Sequence, residues 1–166
     1  MSEKPAEASA WTGEDQKLAD SKILVVDDNA QNLELLVAYL DSLDCKIITA
    51  ADGIEALEKI GPGEVDLILL DVMMPRMSGF EVCRKLKSDP QTRDIPIIMV
   101  TALNELSDIE RGVESGTDDF ISKPVNRLEL VTRVKSLLRV RHLKNALERT
   151  LAYLTDVEGA REQDNS

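Results

Sequence analysis

Residues Ile23-Leu24-Val25-Val26-Asp27-Asp28-Asn29 carry four consecutive apolar side chains into two adjacent carboxylates. An apolar run without alternation reads as a strand covered on both faces, the condition of a parallel sheet packed between helices. Four further runs follow, at Ile47-Ile48, Leu67-Ile68-Leu69-Leu70, Ile97-Ile98-Met99-Val100 and Phe120-Ile121. Helical spacing fills the intervals. Leu33, Leu36, Val37, Leu40 and Leu43 share one stripe, as do Ala56, Leu57 and Ile60, then Phe80, Val82, Cys83 and Leu86; Leu106, Ile109 and Val113 form a weaker one. Strands alternating with helices define an α/β layered protein. Asp28 or Asn29 caps the first helix, Gly53 and Gly79 open later ones, and Gly61 to Gly63 close the second.

Composition narrows the class. The chain of 166 residues suits one domain with tails, and aromatic residues make up only 3%, so the core must be aliphatic. A formal charge of -11 repels a phosphate backbone, which argues against direct nucleic-acid binding. Cys45 and Cys83 form no CxxC or Cys/His cluster and read as reduced core residues. The polar segment 1–20 reads as a flexible tail in which Trp11 is the one side chain able to dock. No apolar run is long enough to span a bilayer, so a cytoplasmic location away from membranes is expected.

Ligands of an open parallel sheet sit beyond the carboxyl ends of its strands. Asp27-Asp28 follow the first run, Asp71 the third, Thr101-Ala102 the fourth and Lys123-Pro124 the fifth. Taken singly these residues are ordinary: Asp28 a helix cap, Lys123 a solvated lysine, Thr101 a satisfied strand residue. Gathered at one edge, three carboxylates would repel one another unless a cation shares the site. Mg²⁺ fits, because it takes one or two carboxylates, keeps waters and shares its remaining positions with phosphate.

The segments "ILVVDDN", "LILLDVMMPRMSGFEV", "IIMVTA" and "DDFISKPV" resemble the signature segments of the receiver domain of bacterial two-component response regulators, over roughly Lys22 to Leu138. The resemblance implies a flavodoxin-like (βα)5 fold, doubly wound, with a five-stranded parallel sheet in the order 2-1-3-4-5. It implies Asp71 as phosphoacceptor from a sensor histidine kinase or phosphotransfer protein. It further implies Mg²⁺ on Asp27, Asp28, Asp71 and the Met73 backbone carbonyl, with Lys123 and Thr101 assisting and a cis Lys123-Pro124 peptide. Thr101 and Phe120 become the switch pair that reshapes the face of the fourth helix, fifth strand and fifth helix. Phe120 as a plain core residue stays open beside that role. Met73 and Leu103 are apolar where some relatives orient an attacking water, which implies slow self-dephosphorylation.

Other readings remain at this stage. An Asp-nucleophile phosphohydrolase also uses a strand-end carboxylate beside Mg²⁺, but such enzymes carry a second Asp where this chain has Met73. A phosphorylation-independent adaptor would lack one of the acids or the lysine. The expected domains are a tail at 1–20, a receiver domain at 21–138, a helical extension at 139–158 and a flexible tail at 159–166. The last helix is predicted from Val125 to about Val157, with Val140, Leu143, Leu147, Leu151 and Leu154 as an apolar stripe beyond the domain and Arg139, Arg141, His142, Lys144 and Arg149 as a basic cluster. His142 reads as a solvated residue. The stripe wants a partner, either a second copy in a short coiled coil or an output module, since "DVMMPRMSGFEVCRKLKSDPQTRDIPIIMVTAL" also resembles receivers that precede cyclic-dinucleotide enzymes.

Overall fold

A computed structural model describes residues 18–61, 64–102 and 106–164. Its elements run β1 (Lys22–Val26), α1 (Ala30–Leu40), a 3₁₀ turn (Asp41–Leu43), β2 (Lys46–Ala50), α2 (Gly53–Ile60), β3 (Leu67–Asp71), α3 (Gly79–Ser88), β4 (Ile97–Thr101), α4 (Leu106–Ser115), β5 (Asp119–Ser122) and α5 (Arg127–Asp164). The strands are all parallel, in the order β2-β1-β3-β4-β5. The fold is thus the flavodoxin-like one that the resemblance implies.

Successive strand residues point to opposite faces, so each apolar run feeds two layers. Leu24, Val26, Ile68, Leu70, Ile97 and Met99 pack with Ala56, Ile60, Val82, Cys83 and Leu86 on the α2/α3 side. Ile23, Val25, Leu67, Leu69, Ile98 and Ile121 pack with Leu36, Leu40, Leu130, Val134 and Leu138 on the α1/α5 side. That double covering is why the runs show no alternation. Each such aliphatic side chain contributes about 1.5–3 kcal/mol when fully buried.

Helix starts are built by side chains just ahead of them. Asn29 accepts from the N–H groups of Gln31 and Asn32, so it and not Asp28 caps α1. Asp52 accepts from the Glu55 N–H, and Glu55 reaches back to the Ala51 N–H. Ser78 accepts from the Glu81 N–H at the head of α3.

Several sequence expectations change. Leu18 is buried in the α1/α5 layer and its carbonyl accepts from Cys45 Sγ at 2.9 Å, so the chain joins the core before residue 20. In α4, Ile109 and Val113 are 43% and 65% exposed, while Gly112 and Ser115 face inward. The reason lies in β5: a Cβ placed on Gly112 would overlap the Phe120 ring, which takes the space a larger helical side chain would need. Finally, α5 starts at Arg127 and continues through Gly159 to Asp164. A single glycine costs a helix about 1 kcal/mol, which the helix formers around it absorb. Trp11, the one tail side chain able to dock, lies outside the described residues, as do Leu103 and the side chain of Leu106.

Beyond Leu138, α5 is fastened under the amino-terminal edge of the sheet. Arg141 reaches Asp66 Oδ1 at 3.5 Å and donates to the carbonyls of Asp94 and Val65, and Lys144 pairs with Asp94 at 2.8 Å. His142 Nε2 lies 2.7 Å from Ser21 Oγ, so it is half-buried and bonded, contrary to its reading as a solvated residue.

Candidate functional site

Strand register sets the site. Val26 pairs with Leu70, Asp71 with Val100, and Thr101 with Ser122, so the residues that follow β1, β3, β4 and β5 end at one edge. Asp27 and Asp71 are buried there, Asp28 is exposed, and Thr101 is buried at the tip of β4. One carboxylate oxygen from each of Asp27, Asp28 and Asp71 lies within 4.8 Å of the other two.

Lys123 enters from the end of β5. Its Nζ stands 3.2 Å from Asp71 Oδ1 and 3.3 Å from Asp27 Oδ2. The Lys123 N–H donates to the Thr101 carbonyl at 2.8 Å, and the Lys123-Pro124 peptide is cis, as the resemblance implies. The Asn29 N–H donates to Asp27 Oδ1 at 2.9 Å, which holds that carboxylate while Asn29 caps α1.

Burial pushes the Asp71 carboxyl above its ordinary range, and the neighbouring Asp27 charge adds to the effect; Lys123 and the Met73 N–H oppose it. Burial works against the charge on Lys123, but the Asp71 and Asp27 carboxylates outweigh it and raise its affinity for the proton. Among the described residues one ammonium, that of Lys123, faces three carboxyl groups, so acids outnumber the bases at this edge. Clustered hard oxygen donors in excess of bases are the donor set a Mg²⁺ ion takes.

The loop after β3 was only partly legible. The first turn of α3 lies so close that a Cβ on Gly79 would overlap the Asp71 carbonyl oxygen and come within 2.9 Å of Val72 Cα. Glycine at that place is a packing requirement, and the Gly79 N–H donates to the Val72 carbonyl. The Met73 side chain is 64% exposed beside the acid cluster, and Ala102 is exposed in the turn after β4. Phe120 is partly buried, its ring against Gly112.

Sequence reasoning missed two supports. Lys87 donates to the carbonyls of Arg93 and Ile95 and pairs with Asp118 at 2.9 Å, while Asp118 also accepts from the Ile97 N–H; this ties α3 to the starts of β4 and β5. Arg111 of α4 stacks over the Phe80 ring at 4.7 Å. A lone lysine and a lone arginine on helices give no sequence signal, because their partners lie far along the chain.

A helical-layered parallel sheet with an acid cluster and a lysine at its carboxyl edge is the arrangement of a receiver domain. The sequence profile of the response regulator receiver domain matches residues 23–135, and the chain belongs to that family. It is 50% identical over 119 residues to the response regulator PleD of Caulobacter vibrioides, covering 72% of this chain and 26% of PleD. It is 48% identical over 120 residues to the transcriptional regulatory protein ResD of Bacillus subtilis, covering 72% of this chain and 49% of ResD. The chain therefore spans about a quarter to a half of these relatives. Among solved structures, the Vibrio cholerae chemotaxis protein CheY4 superposes with a TM-score of 0.67 at 30% identity, over 71% of this chain and 98% of its own. The receiver domain of the Pseudomonas aeruginosa sensor histidine kinase PA1611, solved with a magnesium ion coordinated in its active site cleft, gives 0.67 at 31% identity, over 72% and 98%. No helix among the described residues is long and apolar enough to cross a membrane.

Proposed function

We propose that Asp71 accepts a phosphoryl group from the phosphohistidine of a sensor histidine kinase or phosphotransfer protein, in the cytoplasm. The observation that carries this reading is the convergence of Asp27, Asp28, Asp71 and Lys123 from three strand ends. An Asp71 carboxylate oxygen forms the new P–O bond as the P–N bond of the donor breaks, and the bond's electron pair leaves with the imidazole nitrogen. Such transfers need positioning and charge neutralisation above all. Asp27, Asp28, Asp71 and the Met73 carbonyl would hold a Mg²⁺ ion, which when bound would supply that charge neutralisation.

The chain's own residues do the rest. Lys123 shifts its ammonium from the Asp71 carboxylate to a phosphoryl oxygen, and the Thr101 hydroxyl donates to another. The added charge draws Thr101 inward, and Phe120 turns into the space it leaves, away from Gly112. The α4-β5-α5 face changes shape and controls an output partner: a second copy through α5, or a further module. Residues 18–138 form the switching unit and 139–164 its helical extension. The domain catalyses only its own modification and slow dephosphorylation, because Met73 supplies no acid or base beside Asp71.

Incubation with acetyl phosphate and Mg²⁺, followed by intact mass, tests the reading. The wild-type chain gains one phosphoryl group; Asp71→Asn, or the wild type with EDTA, gains none. An unmodified wild type, or an equally modified Asp71→Asn, refutes it.

A further inference from the structure

The stripe Val140, Leu143, Leu147, Leu151 and Leu154 is 60%, 67%, 58%, 54% and 50% exposed. It lies on the side of α5 opposite Leu130, Val134 and Leu138, which are fully buried against the sheet. At 1.5 Å per residue the stripe is about 20 Å long, and the helix runs on about 15 Å further. A lone helix presenting such a face calls for an apolar partner.

Charge along the same helix identifies that partner. Residues 139–149 hold Arg139, Arg141, Lys144 and Arg149 against Glu148, a net of +3 with His142 neutral. Residues 150–163 hold Asp156, Glu158 and Glu162 against Arg161, a net of -2. Arg141 and Lys144 share their charge with Asp66 and Asp94 of the body, while Arg139 and Arg149 make no ion pair with a described residue. A second helix running the other way matches this division, its basic half against the acidic half of the first.

We infer that the α5 extensions of two copies of this chain pair antiparallel, centred near Arg149. In that register Leu147 of each copy lies beside Leu151 of the other, and Leu143 beside Leu154. A parallel pair would set basic half on basic half and acidic on acidic. It would also bring two bodies together that carry most of the -11 charge of each chain, whereas the antiparallel pair holds them at opposite ends. The inference deepens the output reading above by fixing the partner and the direction of pairing, and it does not depend on phosphorylation of Asp71.

The test uses the full chain, unphosphorylated. Sedimentation equilibrium is expected to give twice the 18.4 kDa chain mass, and Leu147→Asp/Leu151→Asp is expected to give a monomer with unchanged circular dichroism. Arg139→Glu, which in this register lies next to Glu158 of the other copy, is expected to weaken association at least tenfold, and adding Glu158→Lys to restore it. A parallel pair predicts the opposite sign for the first of these, because two like-charged halves would be relieved. Spin labels on Glu162→Cys, in a chain carrying Cys45→Ser, are expected roughly 40 Å apart, against about 10 Å for parallel helices. A monomeric wild type, a dimer that survives Leu147→Asp/Leu151→Asp, or the short label distance overturns the inference. Each of these outcomes is separate from the mass gain on Asp71.

Discussion

Lys123→Ala removes the ammonium that faces Asp27 and Asp71, and the contacts allow its cost to be worked. At 3.2 and 3.3 Å, with an effective dielectric constant of about 20, each contact carries about 5 kcal/mol of gross Coulomb attraction. Desolvation of the two acids, whose side chains are 5% and 1% exposed, offsets much of that. Removing one partner of a buried pair costs about 3–5 kcal/mol, and because Lys123 keeps 26% exposure we place the loss at about 2–3 kcal/mol. Urea denaturation in EDTA at pH 7 should then show the midpoint falling by about 1–2 M with an unchanged slope. The deficit should shrink as pH falls, because protonating Asp71 removes part of the repulsion that Lys123 relieves. It should also shrink in roughly 10 mM Mg²⁺, which binds the native acids and stabilises the folded state by mass action. A deficit below about 0.5 kcal/mol, or one indifferent to both pH and Mg²⁺, would refute the electrostatic reasoning.

Three further outcomes are expected. Burial and Asp27 raise the Asp71 carboxyl above its ordinary 3.8, so its stabilising share is present below that value and lost as pH rises through the native one; Asp71→Asn should be more stable than wild type in EDTA at pH 7, with the gap closing toward pH 3 in denaturant titrations. Gly112→Ala, which in an open helix gains about 1 kcal/mol, should instead lose about 1–3 kcal/mol through overlap with the Phe120 ring, and Phe120→Leu in the same chain should recover most of it in thermal melts. With an apolar Met73 beside the acid cluster, the phosphorylated chain should keep its label for longer than minutes in Mg²⁺ by timed intact mass, and a half-life of seconds would remove that reading.

The sheet was legible because its runs are buried on both sides, so Ile23 to Val26 and Leu67 to Leu70 show it without any partner being known. The acid cluster was legible for a related reason: in a parallel sheet, the residue following each run must arrive at the same edge. Helix α4 was less so. Its inward positions are Gly112 and Ser115, and a hydrophobic pattern cannot report a face whose filling ring, Phe120, comes from the neighbouring strand. His142 read as solvated because Ser21, its partner, lies 121 positions away. The Lys87–Asp118 tie and the closeness of Gly79 to the Asp71 backbone were hidden for the same reason, as both arise only when distant segments meet.

The most direct measurement locates the phosphoryl group itself. Wild-type chain treated with acetyl phosphate and Mg²⁺ is reduced with borohydride, which converts an acyl phosphate to an alcohol, and its peptides are sequenced by mass. Homoserine at position 71 and nowhere else is the predicted result. Reduction at Asp27, Asp28 or any other acid, or no reduced residue at all, would contradict the assignment on which the mechanism stands.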